Sequence, residues 1–345
     1  MSGQNLDKYI LSGYRNPNSS ISECVSSAFR INNETFNIWT HCCAAVFFIN
    51  LVLTLNSKHD FLQDSYVTPL ALFLFSTCLV FMTSSLAHMF SALSARARHI
   101  CFFFDYTSLS ILTMGVSIAY KAYIFPSSMI GGLYYNTFLL MSAVNAVLSV
   151  AIISESRFME PSIKRQALRI AAYALPFTFD SLPMIHRMRF CSPQECTARA
   201  LYPHTTQYFF ALTASFVYIL HVPERFFPKV FDIIGQSHQI FHICTATASY
   251  YQLQGLLMDI KDRRDELTTL DFYSIASESL ILMGVVLICD AMVLAYYIQR
   301  IHSVRPTDAC WKYLYAQDGK SPRHTQSRVA FVDTEYVYSA HTKYS

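Results

Sequence analysis

The sequence is poor in charged residues. Asp, Glu, Lys and Arg make up 14% of its 345 residues, whereas about 25% is usual for a soluble domain. This deficit argues against a soluble globular protein. The net charge is only +3, so nothing in the charge balance favours a nucleic-acid partner. With nine glycines and no internal repeat, the chain also lacks the glycine-interrupted spans that are typical of transporters.

Neither a disulfide framework nor a signal peptide is visible. The ten cysteines are scattered, and only Cys191 and Cys196 share a hydrophilic loop, where a disulfide and two free thiols are both open interpretations. The first 36 residues lack the order of basic, apolar and small residues that marks a secretory leader. We therefore expect the N-terminus to stay in the cytosol.

Long apolar runs are what the chain has instead. A transmembrane helix needs roughly 20 mostly apolar residues, because its backbone must satisfy its own polar groups in hydrocarbon. Eight such runs occur, at about residues 37–55, 69–91, 100–121, 132–153, 167–185, 205–222, 233–258 and 276–299. The sequence thus predicts an all-α integral membrane protein with seven core transmembrane helices and an eighth C-terminal one.

The distribution of basic residues predicts the orientation of these spans. Lys and Arg accumulate on the cytoplasmic side of a membrane. With the N-terminus inside and eight spans, 18 of the 26 basic residues lie inside and 8 outside. We therefore predict a cytosolic N-terminal segment over 1–36, a transmembrane bundle over 37–299 and a cytosolic tail over 300–345. The tail gains Pro, Ser, Gln and charges, which predicts disorder.

Two histidines interrupt the seventh run. In the stretch "GQSHQIFHIC", residues 235–244, His238 and His242 are four residues apart. On a helix this spacing puts both imidazoles on one face, where they can bind one metal ion. The pair alone is equally compatible with two polar residues that hydrogen-bond to neighbouring helices.

Further polar residues are predicted at the same depth. His88 lies near the end of the second run and Asp105 near the start of the third, so with His238 and His242 they fall within roughly 5–14 Å of the cytosolic boundary. Three neutral imidazoles suit Zn²⁺, and an open fourth position is typical of catalytic zinc. Asp105 would then hold or orient a water, and Ser84 lies on the same face as His88. A zinc ion that only ties three helices together is the open alternative.

A carboxyl group is also predicted within the fifth run. In "LPFTFDSLP", Pro176 and Pro183 bracket Asp180. Proline bends a helix, and an intramembrane carboxyl faces the bundle interior or a cavity. Asp180 is therefore a candidate ligand-binding residue. The alternative is a carboxyl that is only bonded to a neighbouring helix.

An ordered set of motifs carries a family resemblance. The stretches "SGYRNP", "NETFNIWTH", "SSLAH", "ARHICFFFDY", "PFTFDSLP", "HVPERFFP" and "GQSHQIFH" extend over about residues 12–245. Together they resemble the signatures of the progestin and adipoQ receptor family, and they are most similar to its membrane progestin receptors, the gamma form in particular. One departure is Lys229, which stands where we expect glycine.

The resemblance implies a function and assigns residues to it. It implies zinc ligands at His88, His238 and His242, with Asp105 on the zinc water and Ser84 as the motif serine. It implies a plasma-membrane steroid (progestin) receptor with rapid non-genomic signalling through heterotrimeric G proteins. Similarity to adiponectin receptors and alkaline ceramidases suggests instead a zinc-dependent hydrolase of ceramide or a related sphingolipid, in which Asp105 and Ser84 are catalytic.

These two hypotheses can also be combined as a ligand-stimulated hydrolase. A purely scaffolding membrane protein is the weakest alternative, because it gives no reason for four polar groups to converge at one depth. The sequence leaves open which steroid binds, which G protein couples and whether the protein oligomerises.

Overall fold

The computed structural model describes residues 9–58, 60–61, 63–190 and 198–315. All regular structure within these residues is helical, as predicted. Cys191 and Cys196 lie outside the described residues, as do residues 316–345. The disulfide and most of the predicted disordered tail therefore stay predictions.

A long helix overlaps each of the eight apolar runs of the sequence. The helices of 22 or more residues within the described ranges are α2 (Thr35–Asn56), α3 (Thr68–Phe90), α4 (Ala95–Ala119), α5 (Leu133–Ser156), α6 (Ile163–Phe190), α7 (Ala198–Leu220), α8 (Ser237–Asp262) and α10 (Phe272–Ser303). The short helices are α1 (Ile21–Ser27), α9 (Arg264–Leu267) and α11 (Trp311–Tyr315). After α4 the chain continues through a π-helical turn over Tyr120–Ile124.

Five of the long helices are apolar enough to cross a membrane. They are α2, α3, α4 with its π-helical extension, α5 and α10. The chain is therefore a multi-pass membrane protein. Helices α6, α7 and α8 have more polar residues, and α6 and α7 contain prolines, so a membrane crossing by these three stays a prediction.

Residues typical of helix N-termini stand at the starts of α3, α4 and α10. Pro69 stands in the first turn of α3, where its missing N–H costs nothing. Ser94 stands four residues after the end of α3. It caps α4 by accepting a hydrogen bond of 3.0 Å from the backbone N–H of Ala97. Asp271 caps α10 in the same way, through the backbone N–H of Ser274 at 3.1 Å.

Two hydrophobic clusters fill the bundle. The larger contains Phe48, Phe73, Phe81, Phe138, Leu253 and Val286, which come from five helices. The smaller includes Phe103 of α4, Tyr297 of α10, and Leu314 and Tyr315 of α11. The Tyr315 hydroxyl donates to the carbonyl oxygen of Ile301 at 3.0 Å. Packed helical chain thus continues to Tyr315, beyond the boundary at residue 299 that the composition suggested.

The two ends of the bundle carry different polar groups. At the end where α3 finishes and α8 begins, which we call the histidine end, lie the predicted metal ligands. At the opposite end Asp259 of α8 accepts a hydrogen bond of 2.6 Å from Arg187 of α6, and its other oxygen lies 2.9 Å from Nε2 of His204 of α7. All three side chains are almost fully buried. This cluster joins three helices.

Candidate metal centre

Three histidines from two helices converge at the histidine end. His88 lies in the last turn of α3, His238 in the first turn of α8 and His242 one turn later. One ring nitrogen from each lies within 4.8 Å of the others. His88 is 4% and His242 1% exposed. The structure therefore brings together the three residues that the sequence predicts as ligands, with His88 and His242 buried and His238 partly buried.

Hydrogen bonds fix which ring nitrogens face the centre of this cluster. Nδ1 of His88 lies 2.8 Å from a carboxylate oxygen of Glu34. Nδ1 of His242 lies 3.0 Å from the Thr40 hydroxyl, which itself donates to the carbonyl oxygen of Phe36. The Thr40 oxygen is therefore the acceptor, and His242 Nδ1 carries the proton. Nε2 of both rings is left for a ligand, and that of His88 faces Nε2 of His238 at 3.0 Å.

Glu34 is a partly buried anion directly before α2. The oxygen that accepts from His88 also accepts from the Asn37 amide at 2.9 Å. Burial by itself would raise the pKa of Glu34, but the neighbouring His88 and Arg15 outweigh it and lower that pKa to about 2. The carboxylate is therefore ionised and acts only as an acceptor. It holds the His88 ring with Nδ1 protonated.

Neither Glu34 nor Thr40 was singled out from the sequence. The available signal is the spacing of Glu34, Asn37, Thr40 and His41, polar residues three or four apart at the start of an otherwise apolar helix. Such spacing puts side chains on one face of a helix. That face of α2 packs against His88 and His242.

His41 forms a wall of the site. Its ring stacks on that of His242, with centroids 3.5 Å apart and an interplanar angle of 14°. His41 is buried, and neither of its ring nitrogens has a hydrogen-bond partner among the described residues. Among the described residues, the ring nitrogens that lie close enough together to share a metal ion belong to the other three histidines. His41 therefore acts here by packing.

Asp105 and Ser84 lie beside the cluster. Asp105 of α4 is partly buried and interacts electrostatically with His88. Its backbone carbonyl accepts a hydrogen bond of 2.6 Å from the Ser108 hydroxyl, which accepts one of 2.6 Å from Thr83 of α3. Ser84 is buried one turn before His88. Both residues therefore border the histidines, and their catalytic role stays a prediction.

Asp180 lies deeper in the bundle. Its carboxylate is buried on α6 and accepts a hydrogen bond of 2.9 Å from the Ser142 hydroxyl of α5. The structure thus contains the bond to a neighbouring helix that was one of the two interpretations. Contact with a ligand stays a prediction.

The segment before α8 sets the position of His238. The carboxylate of Glu224 accepts a hydrogen bond of 2.8 Å from the backbone N–H of Ser237 and another from its hydroxyl. A carboxylate at a helix N-terminus satisfies free N–H groups and complements the helix dipole. Lys229, which stands where glycine was expected, has a φ of +70°. This left-handed backbone explains the expectation, because glycine adopts it without strain.

The fold and the cluster define a class, a multi-pass helical membrane protein in which three histidines of α3 and α8 converge. Residues 29–253 match the model of the haemolysin-III-related family. The chain is 38% identical over 276 residues to membrane progestin receptor gamma-B of Danio rerio, covering 75% of this chain and 80% of that protein. It therefore belongs to this family, that of the progestin and adipoQ receptors.

Two mammalian relatives agree with this assignment. Membrane progestin receptor gamma of Mus musculus is 38% identical over 258 residues, which are 74% of this chain and 78% of that protein. Membrane progestin receptor delta of Homo sapiens is 40% identical over 266 residues, which are 75% and 77% of the two chains. The resemblance seen in the motifs is confirmed.

Proposed function

We propose that this protein is a plasma-membrane steroid receptor that binds a progestin. The observation that carries the proposal is the similarity, over three quarters of the chain, to proteins named membrane progestin receptors. A steroid is apolar over most of its surface, so it suits a site inside a helical bundle with a few polar groups that orient it. Asp180, buried between α5 and α6, is our candidate for such a contact.

We propose further that His88, His238 and His242 hold a zinc ion. Imidazole nitrogens are common zinc ligands, and an acceptor on the second ring nitrogen is the usual support of a metal-bound histidine. Glu34 and Thr40 provide such acceptors for His88 and His242. When bound, zinc would supply a Lewis acid that polarises a carbonyl and activates water. In the receptor it would tie α3 to α8.

The histidine end is assigned to the cytosolic face in this proposal. The excess of Lys and Arg in the segments predicted to lie inside supports that orientation. A steroid that changes the packing of α3 and α8 would then alter a surface that a heterotrimeric G protein can contact.

Ligand binding tests the receptor assignment. Membranes that contain the protein should bind labelled progestin saturably, and unlabelled progestin should displace it. Membranes with an equal amount of an unrelated multi-pass protein are the control. Absence of saturable binding in folded, zinc-loaded protein would remove the assignment.

The second candidate is a zinc-dependent lipid amide hydrolase that acts on ceramide. Three protein ligands leave a position on zinc for water or substrate, and Asp105 and Ser84 border the cluster. In this hypothesis Asp105 orients or deprotonates the attacking water. Ser84 is the second candidate catalytic residue.

Asp105→Asn separates the two candidates. If the protein is a hydrolase, release of fatty acid from ceramide by purified protein should fall by at least about 100-fold in this variant and should disappear in His238→Ala. If it is only a receptor, Asp105→Asn should retain zinc and progestin binding, and ceramide should be stable even with the wild type. Equal hydrolysis by all three proteins would exclude the zinc mechanism.

A further inference from the structure

A short segment before α1 lies across the histidine end. Residues 10–16, which we call the N-terminal clamp, contact the chain on both sides of the histidine cluster. The backbone N–H of Leu11 donates to one oxygen of Asp232 at 3.1 Å, and the Ser12 hydroxyl donates to the other at 2.6 Å. Asp232 is buried and stands five residues before Ser237, where α8 begins. One end of the clamp is thus bonded to the entry of the helix that carries two of the histidines.

The other end of the clamp caps α3. The guanidinium of Arg15 donates to the carbonyl oxygens of His88 at 2.6 Å and Met89 at 2.7 Å, and to the Ser91 hydroxyl at 2.8 Å. The last carbonyls of a helix have no partner within the helix, and a basic side chain can satisfy them. Arg15 therefore holds the last turn of α3 through the backbone of His88 itself.

The middle of the clamp passes between the starts of α2 and α8. The carbonyl oxygen of Gly13 accepts a hydrogen bond of 2.9 Å from the backbone N–H of Asn33, the residue before Glu34. A Cβ on Gly13 would lie 3.3 Å from that nitrogen and 3.3 Å from Cγ1 of Ile233, and the φ of Gly13 is +81°. The close approach and the left-handed backbone both require glycine here.

We propose that the N-terminal clamp positions the three-histidine site, with Arg15 and Asp232 as positioning residues. This inference rests on the proposed zinc site. The clamp bonds to the end of α3, to the chain before α2 and to the chain before α8. These elements carry His88, its acceptor Glu34, and the pair His238 and His242. Because a metal site must be held to within about 0.5 Å, a connection between the three elements sets how well the imidazoles meet one ion.

Zinc affinity of the purified full-length protein tests the inference without any assay of activity. Zn²⁺ is titrated against a competing chelator, and Co²⁺ is added in parallel because its visible spectrum reports the ligand geometry. Arg15→Ala should weaken zinc binding by about 10-fold or more, the range seen when supports of metal ligands are removed. Arg15→Lys keeps the charge but not the forked donor, so its zinc affinity should lie between that of the wild type and that of Arg15→Ala.

Two further variants keep the test decisive. Arg30→Ala removes an exposed basic side chain from the same N-terminal region and should leave the affinity and the Co²⁺ spectrum unchanged. Ser12→Ala changes an exposed residue and deletes only one bond to Asp232, so the protein should fold even if Arg15→Ala does not. We expect a loss of affinity of a few-fold for Ser12→Ala.

The outcomes separate this inference from the proposed function. Wild-type affinity and an unchanged Co²⁺ spectrum in Ser12→Ala, and in Arg15→Ala where that variant folds, would overturn the clamp and leave the zinc site standing. A wild-type protein that binds no zinc would overturn the proposed site, and the clamp inference with it. Loss of affinity in the clamp variants but not in Arg30→Ala supports the inference.

Discussion

Replacement of Glu34 by glutamine tests how the site holds His88. Glutamine has the same shape and keeps one acceptor oxygen but loses the negative charge. In the structure a single Glu34 oxygen accepts from His88 Nδ1 at 2.8 Å and from Asn37 at 2.9 Å. A hydrogen bond to an ionised acceptor is roughly twice as strong as a neutral one, so about 1.4 kcal/mol should be lost. This corresponds to about tenfold weaker zinc binding.

Two companion variants rank the supports of the cluster. Glu34→Ala removes the acceptor altogether, and its loss of zinc affinity should approach about 100-fold, the upper end for supports of metal ligands. Thr40→Val removes the hydroxyl that accepts from His242. Because that acceptor is neutral, its loss should cost less than Glu34→Ala.

The assay is zinc competition with a chelator, combined with the thermal midpoint of unfolding with and without zinc. A ligand that binds only the folded state raises the midpoint by an amount that increases with its affinity. Both measurements should therefore rank the variants in the same order. Zinc binding of wild-type strength in Glu34→Ala would refute the role assigned to Glu34. A larger loss in Thr40→Val than in Glu34→Ala would show that His242, not His88, depends most on its support.

The remaining predictions concern stability and can be checked by thermal or denaturant unfolding. Gly255→Ala should destabilise the protein by more than about 3 kcal/mol, because the new Cβ would lie 2.4 Å from the ring of buried His204. Lys229→Gly should stabilise it by about 1 kcal/mol, because the backbone there has a φ of +70°. Glu278→Gln should cost about 2 kcal/mol, less than a fully buried pair, because Glu278 is 35% exposed but holds buried Lys121 at 2.7 Å.

The long helices could be predicted from the sequence because a span must be apolar, but their ends could not. Helix α7 begins at Ala198, whereas the apolar run begins at about residue 205. The intervening turn contains His204, which is buried against Asp259. A hydropathy scale scores a polar residue as unsuited to hydrocarbon, because it takes no account of a hydrogen-bond partner on another helix. The same reason accounts for the end of α6 at Phe190, after buried Arg187.

The histidine cluster could be predicted because helical spacing and topology place His88, His238 and His242 at one depth. Its supports could not. Glu34 and Thr40 lie at the same end of the bundle, but whether they meet the histidines depends on how α2 is rotated about its axis. That rotation is fixed by contacts such as the Ser85 hydroxyl donating to the carbonyl of Ile38 at 3.0 Å. Such a contact joins two helices and has no signature in either one.

The charges around the histidines are compatible with the divalent ion proposed for this site. Glu34 and Asp105 both interact electrostatically with His88, so two carboxylates border a largely buried cluster of imidazoles. Charge in such a layer is costly unless an opposite charge accompanies it. Imidazoles that bind a metal do so in the neutral form, and the two positive charges of zinc would then face the two carboxylates. A neutral lipid or steroid polar group at the same place would bring no positive charge, so Arg15 and Arg157 would have to balance Glu34 and Asp105 without it.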